Sequence, residues 1–114
     1  MTSPALKRLG QAMQRTSLDA TDIGRILDKD PKTVTRWIRS DNEPRWETLE
    51  QVLALNVILE RLADVIEPDA AQEWLFTPVP GLDYRRPADL VRSGDFRPVL
   101  ALIDFGLVGR VTHQ

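Results

Sequence analysis

Residues 46–66, WETLEQVLALNVILERLADVI, contain no glycine or proline and carry Leu, Val or Ile at nearly every second position. Pro44 can lie in the first turn, where the missing N–H costs nothing. Pro68 ends the segment, because the residue before a proline, Glu67, is disfavoured in helical geometry. The stretch therefore predicts one long helix of about 30 Å, at 1.5 Å per residue.

Two sides of this predicted helix are apolar. One stripe has the i, i+3, i+4, i+7 spacing of a core-facing helix and comprises Trp46, Leu49, Val52, Leu53, Leu59 and Leu62. Further apolar residues, Leu55, Val57, Ile58, Val65 and Ile66, fall partly outside it. We expect the helix to be buried on two sides, as a strut between an N-terminal and a C-terminal lobe. The second side, at Leu55, Val57 and Ile58, is the predicted contact with another copy of the chain.

Two helices are predicted at the N-terminus. Ser3 can cap a helix over residues 4–15, with Pro4 at its first position. Asp19 and Asp22 have the spacing of a capping box and open a second helix. Gly24, between apolar residues of this second helix, is predicted to let another helix come close.

A third helix follows after a tight turn at Asp28-Lys29. Asp30 is its predicted N-cap, and its buried stripe is Val34, Trp37 and Ile38. Two short helices joined by a turn are typical of a helix-turn-helix. The second helix exposes basic and hydroxyl side chains that can reach base edges or phosphates in a major groove. The predicted DNA-binding residues are Lys32, Thr33, Thr35, Arg36, Arg39 and Arg45. The alternative interpretation is a small helical domain with a solvated charged face.

Beyond Pro68 the pattern stays helical. A short helix is predicted over residues 70–76, then an irregular proline-rich segment over 77–87, then a helix from Pro87 that ends at Gly94. Asp95 is the predicted cap of a last helix with one apolar face, formed by Phe96, Val99, Leu100, Ile103 and Leu107. No strand pattern competes, so the predicted fold is all-α.

The sequence DPKTVTRWIRSDNEPRWETLE, residues 30–50, resembles the DNA-binding domain of Xre-type regulators. In that family a similar Thr-Val-Ser-Arg-Trp stretch forms the recognition helix. Asp28 replaces the glycine usual in the turn, and Ile38 replaces the acidic residue that commonly follows the tryptophan.

The C-terminal half resembles the toxin-binding domain of Xre/MbcA/ParS-type antitoxins, with MbcA-like proteins as the best match. The resemblance lies in the order of Trp74-Leu75, the proline-rich loop, RPADLV at residues 86–91, Ser93-Gly94 and a final apolar helix. Asp83-Tyr84 replaces the family's usual Gly-Gly. The resemblance implies a RES-domain toxin that consumes NAD as partner, and an antitoxin that covers the entrance of the toxin's active site. The implied toxin-binding residues are Trp74, Phe76, Leu82, Tyr84, Arg85, Arg86, Asp104, Gly106, Val108 and Arg110. For Trp74, Leu75 and Leu90, a place in the core is the simpler interpretation.

Composition bounds the remaining possibilities. The 114 residues are 42% apolar and 28% charged, with no cysteine, which predicts a soluble, cytoplasmic protein without a membrane span. Residues 1–46 hold nine basic and six acidic residues, a balance of +3, and residues 47–114 hold six and eleven, a balance of −5. The sole histidine, His113, is penultimate, and no phosphate loop or metal spacing occurs. We therefore expect no enzyme activity, metal or cofactor.

These observations predict an antitoxin that blocks a RES-type toxin and represses its own operon. Residues 1–66 would bind operator DNA, and residues 67–114 would bind the toxin. We expect a homodimer, because one such module contacts one half-site and paired half-sites lie about 34 Å apart. The alternatives are a free-standing Xre-like regulator whose C-terminal lobe dimerises or senses a small molecule, and an interaction adaptor without DNA binding.

Overall fold

The computed structural model describes residues 3–39 and 43–107, and within these ranges every regular element is helical. The helices are α1 (Pro4–Arg15), α2 (Ala20–Leu27), α3 (Pro31–Arg39), α4 (Trp46–Ala63), α5 (Ala70–Leu75), α6 (Pro87–Arg92) and α7 (Arg97–Ala101). A 3-10 turn covers Pro80–Leu82, and a π-helical turn, Leu102–Leu107, continues α7. The predicted all-α fold is confirmed.

The first two helices begin at the predicted caps. The Ser3 hydroxyl accepts a hydrogen bond from the amide of Leu6 at 3.3 Å. Asp19 and Asp22 form a reciprocal capping box, with side chain to amide distances of 2.9 and 3.1 Å. Each bond satisfies an amide that the helix itself leaves without an acceptor.

The turn between α2 and α3 is tight because Asp28 adopts left-handed geometry, with φ 58°. Aspartate tolerates this region better than most residues, so the absence of the usual glycine does not change the turn. Gly24 makes the turn possible: a Cβ there would overlap the carbonyl oxygen of Lys29. The nitrogen of Pro31, the first residue of α3, would lie 3.5 Å from the same Cβ, so Gly24 allows the next helix to come close as well as the turn.

Helix α4 is shorter than predicted, and one of its faces is solvent-exposed. It begins after Arg45, so Pro44 precedes the helix, and it ends at Ala63. Val52, Leu59 and Leu62 are completely buried. Trp46 and Leu53, which were predicted to complete the core, are instead 65% and 39% exposed.

The core is continuous from α1 to the π-helical turn. Helix α4 packs on α1 and α6, and α6 also packs directly on α2. Arg92 donates to the carbonyl of Arg25 at 2.6 Å, and Gln72 donates to Asp22 at 3.0 Å. The predicted strut between separate lobes therefore needs correction, because the C-terminal helices are fastened to the helix-turn-helix without α4 as intermediary.

The last helix begins one residue later than predicted. Asp95 was the predicted cap, but Phe96 occupies that position and makes no side-chain capping bond. The amide of Asp95 instead donates to the carbonyl of Leu90 at 2.8 Å, which closes α6 together with Gly94 at φ 86°. Asp95 therefore belongs to the C-terminal end of α6 and does not cap α7.

Candidate functional site

Helix α3 presents a basic face to solvent. Val34 and Trp37 are buried against α1 and α2, with exposures of 0% and 6%, and this fixes which side of the helix points outward. Lys32, Arg36 and Arg39 lie on the exposed side. Thr33 and Thr35 are half-buried, and Arg45, at the N-cap of α4, is exposed. All six predicted DNA-binding residues are thus at least partly accessible.

The amide end of α3 is already occupied by a carboxylate. Asp30 accepts a hydrogen bond from the amide of Lys32 at 2.8 Å. A phosphate would have to displace this carboxylate and overcome its charge. The helix end is therefore less suited to an anion than the side chains of Lys32, Arg36 and Arg39 are.

Two arginines of α1 are paired with carboxylates of the α4 region. Arg8 forms a bidentate pair with Glu60, at 2.7 and 3.1 Å, and Arg15 pairs with Asp64 at 2.8 Å. The hydrogen bond from Arg8 lowers the pKa of Glu60, and Glu60 in turn raises the pKa of Arg8. These pairs connect α1 to α4 and to Asp64, which follows it.

The segment between α5 and α6 forms a compact loop. The amide of Val79 donates to the carbonyl of Arg85 at 3.1 Å, and the amide of Tyr84 donates to the carbonyl of Val79 at 2.9 Å. Asp83 and Tyr84 both adopt left-handed geometry, with φ 56° and 61°. Both residues have a Cβ, so each adopts this conformation at a steric cost that glycine would avoid.

The loop exposes an aromatic ring beside two guanidinium groups. Tyr84 is 71% exposed, and Arg85 and Arg86 are exposed next to it. An aromatic side chain flanked by arginines is the composition that protein interfaces favour. These three predicted toxin-binding residues are placed together at one surface.

The predicted toxin-binding residues near this loop differ in their exposure. Leu82 is only 3% exposed, so its side chain belongs to the core and its predicted contact with a toxin is wrong. Trp74 and Phe76 are half-buried, and Phe76 lies under the guanidinium of Arg25 at 3.9 Å. An adjacent groove is lined by Ile66, Ala70, Trp74 and Val79.

At the C-terminal end, Asp104 pairs with Arg61 at 2.5 Å, which joins the π-helical turn to α4. Gly106 is half-buried beside Leu102. Val108 and Arg110 lie outside the described residues. Phe105 is 79% exposed; it was not predicted individually, although it falls between two residues that were.

The predicted dimer contact is largely wrong. Leu55 and Ile58 are completely buried within the chain's own core, so their side chains offer no surface to a second copy. Val57 is half-exposed. The apolar surface of α4 lies instead on the side of Trp46 and Leu53.

The described residues contain no group of three or more His, Cys, Asp or Glu that could hold a metal ion. Among the same residues, no helix is both long and apolar enough to cross a membrane.

Comparison with known proteins places the chain beside antitoxins. Residues 61–104 match the model of the antitoxin Xre/MbcA/ParS C-terminal toxin-binding domain. Mycobacterial cidal antitoxin MbcA of Mycobacterium bovis and of Mycobacterium tuberculosis is 38% identical over 93 residues, which cover 82% of this chain and 82% of each relative.

A solved structure agrees with the sequence comparison. A chain in the crystal structure of the M. tuberculosis MbcT-MbcA toxin-antitoxin complex superposes with a TM-score of 0.83 and 34% identity. The match covers 94% of this chain and 96% of that one.

Proposed function

The chain belongs to the MbcA antitoxin family, and from this we propose that it binds and blocks a RES-type, NAD-degrading toxin and represses its own operon. The observation that carries the proposal is the similarity over 82% of both chains, together with the match of residues 61–104 to the toxin-binding domain. The work would be divided near residue 66, with DNA bound by residues 1–66 and toxin by residues 67–114.

The loop with Tyr84, Arg85 and Arg86 supports the toxin-binding part of the proposal. Its exposed ring and two guanidinium groups can enter an acidic or aromatic-lined entrance on a partner. The left-handed backbone at Asp83 and Tyr84 is a strained feature of the kind that proteins keep at functional sites. Phe105, which is 79% exposed, and the groove beside Trp74 are further candidate contacts.

The basic face of α3 supports the DNA-binding part. Lys32 and Arg36 are four residues apart on one helix and so lie on the same face, where both can enter one major groove. One helix-turn-helix reads one half-site, so the repressor would be a homodimer. The overall pI of about 5.3 makes the local concentration of positive charge on α3 essential to this role.

The toxin role is tested by co-expression with the product of the adjacent gene. We expect the two proteins to co-purify, and cells expressing the adjacent gene alone to lose NAD. Tyr84→Ala with Arg86→Ala should weaken the complex by about 30-fold or more, as for loss of an interface hot spot. Retention of full affinity and rescue by this variant would remove the loop from the interface.

The DNA role is tested with the region upstream of the gene. Lys32→Ala with Arg36→Ala should cost on the order of several kcal/mol and lower the slope of log K against log salt by about 2. Lys7→Ala with Arg97→Ala removes the same charge from α1 and α7 and serves as control. Equal binding by both variants would show that α3 does not read DNA.

Each double variant is also the control for the other activity. The loop variant should still bind DNA, and the α3 variant should still capture the toxin. A chain that binds DNA but captures no product of the adjacent gene would instead be a free-standing regulator.

A further inference from the structure

The side chain of Leu102 lies against two glycines from different elements. Leu102 opens the π-helical turn, and Gly106 lies four residues later in the same turn. A Cβ at Gly106 would lie 2.6 Å from the Leu102 Cδ1 methyl, and a Cβ at Gly81, in the 3-10 turn, would lie 3.1 Å from the same methyl. Both distances are shorter than the optimal carbon–carbon contact of about 3.5–4.0 Å. The two glycines therefore leave the space that this leucine occupies.

Backbone conformation does not account for these two glycines. Both lie in helical turns, and among the glycines of the described residues only Gly94 has a positive φ. A residue with a Cβ could therefore adopt the backbone conformation of Gly81 or of Gly106. The atom that excludes a larger side chain belongs in both cases to Leu102.

The contact at Gly81 holds more than one residue, because the loop around it is internally bonded. The amides of Leu82 and Tyr84 both donate to the carbonyl of Val79 at 2.9 Å, and the amide of Arg85 donates to the carbonyl of Leu82 at 3.1 Å. The Arg85 side chain donates to that carbonyl as well, at 3.2 Å. A side chain that fixes Gly81 therefore also fixes Tyr84 and Arg85.

The π-helical turn on the other side of the contact is itself anchored. Ile103 is 1% exposed and belongs to the core, and Asp104 pairs with Arg61 of α4. Phe105, the next residue, is 79% exposed on this anchored turn. Leu102 thus connects a loop that exposes one aromatic ring to a turn that exposes another.

We propose that Leu102 is a positioning residue for toxin binding. It fixes the loop that carries Tyr84 relative to the turn that carries Phe105, so that one partner meets both rings at a set separation. Such pre-organisation raises affinity, because less conformational freedom is lost on binding. The inference rests on the proposed function for the identity of the partner.

The hold on the loop is tested without toxin, by limited trypsin digestion of the full chain. Leu102→Ala should speed cleavage after Arg85 by about tenfold, since the population of the opened loop rises when a contact that closes it is lost. Leu6→Val is the control, because it removes a methylene from a completely buried residue of α1. It should speed cleavage after Arg61, which requires α4 to unfold, and leave cleavage after Arg85 unchanged.

The effect on recognition is measured as affinity for the product of the adjacent gene, at a temperature where every variant is folded. Leu102→Ala and Phe105→Ala should each weaken the complex by about tenfold or more. Leu6→Val should bind as the wild type does, since a loss of global stability alone does not change the affinity of the folded chain.

A double-mutant cycle distinguishes positioning from a general loss of packing. Gly81→Ala should weaken the complex by about fivefold, because its methyl group displaces the loop from Leu102. In the Leu102→Ala background the same substitution should cause no further loss, since the obstructing methyl is gone.

Four outcomes would overturn the proposal. The first is a Leu102→Ala variant that is digested as slowly as the wild type, and the second is one that is digested faster but binds the partner equally well. The third is a Phe105→Ala variant with full affinity, and the fourth is an equal effect of Gly81→Ala in both backgrounds. A wild type that captures no product of the adjacent gene would instead refute the proposed toxin role, and this inference with it, whatever the digestion shows.

Discussion

At Gly24 a single methyl group decides whether the helix-turn-helix can close. Alanine favours helix over glycine by up to about 1 kcal/mol, but here its Cβ would overlap the Lys29 carbonyl, a backbone atom that cannot rotate away. We expect Gly24→Ala to destabilise the fold by about 2–4 kcal/mol, in the range of overpacked or strained sites. Urea unfolding followed by circular dichroism measures this loss.

Gly10→Ala is the matched control in α1. The nearest atom to its Cβ would be Ile38 Cγ2 at 3.6 Å, an ordinary van der Waals contact. This variant should gain about 0.5–1 kcal/mol from helix propensity. Equal stability changes at the two glycines would mean that the turn can shift to accommodate a side chain at residue 24.

Tyr84 is the second residue at which local backbone geometry has a measurable consequence. A left-handed conformation costs a residue with a Cβ about 1–2 kcal/mol. Tyr84→Gly removes both the ring and that cost, whereas Tyr84→Ala removes the ring and keeps the cost. We expect the glycine variant to be more stable than the alanine variant by about 1 kcal/mol in urea unfolding, while both lose affinity for the toxin.

An alanine variant as stable as the glycine variant would show that the loop relaxes out of the left-handed region. The stability of Asp83→Gly should differ from that of the wild type by less than the two Tyr84 variants differ from each other. The reason is that aspartate tolerates the left-handed region better than most residues do.

At the scale of elements, the Arg8–Glu60 pair joins α1 to α4 and makes stability depend on pH. The pKa of Glu60 is lowered in the folded chain by the hydrogen bond from Arg8. The pair therefore contributes its full stability above the ordinary carboxyl pKa, and loses it as the pH falls through the lowered one. Both side chains are more than a third exposed, at 43% and 35%, so the contribution is at most about 1 kcal/mol.

Glu60→Gln should accordingly be less stable than the wild type at pH 7, and the difference should vanish once Glu60 is protonated in the folded chain. Urea unfolding at several pH values measures this. Asp64→Asn is the control, because the Arg15–Asp64 pair is more exposed, at 51% and 69%, and should contribute less. A difference between Glu60→Gln and the wild type that persists in acid would point to lost packing instead.

The elements that could be predicted from sequence are those that local chemistry determines. The caps at Ser3 and Asp19, the turn at Asp28 and the closing glycine at residue 94 each depend on residues a few positions apart. They are all present in the fold. The orientation of α4 could not be predicted in this way, because it is apolar on most sides and only its neighbours determine which side is buried.

The site residues, too, could be predicted only where local spacing determines their position. The basic face of α3 could be predicted, since Val34 and Trp37 fix the opposite face by helical spacing. The role of Leu82 could not, because a leucine in a proline-rich loop is buried or exposed according to the position of α6 and α7, far along the chain. The same holds for Gln72 and Arg92, whose bonds to α2 span 50 and 67 residues.

At the scale of the whole molecule, one continuous core joins helices α1–α3 and the C-terminal helices. Phe76 under Arg25, Gln72 on Asp22 and Arg92 on the carbonyl of Arg25 connect the C-terminal helices to α2. Separation of the two parts would expose the apolar surface between them, so we expect the chain to unfold as a single cooperative unit.

The three tryptophans allow this expectation to be measured. Trp37 lies in the helix-turn-helix and Trp74 in the toxin-binding region, while Trp46 is exposed on α4. A variant with Trp46→Phe and Trp74→Phe reports only on Trp37, and one with Trp37→Phe and Trp46→Phe reports only on Trp74. Within each variant, fluorescence and far-UV circular dichroism should give the same urea midpoint and the same m-value.

Comparison within each variant removes the effect of Trp37→Phe, which changes a buried residue and is expected to lower both midpoints together. If a long helix merely connected two independent lobes, Trp74 would instead report a transition separate from that of the helices as a whole. Coincident transitions would mean that a toxin bound at residues 67–114 stabilises α2 and α3 as well, by RT ln(1 + [L]/Kd). Toxin capture would then slow hydrogen exchange in α3, whose amides the toxin need not touch.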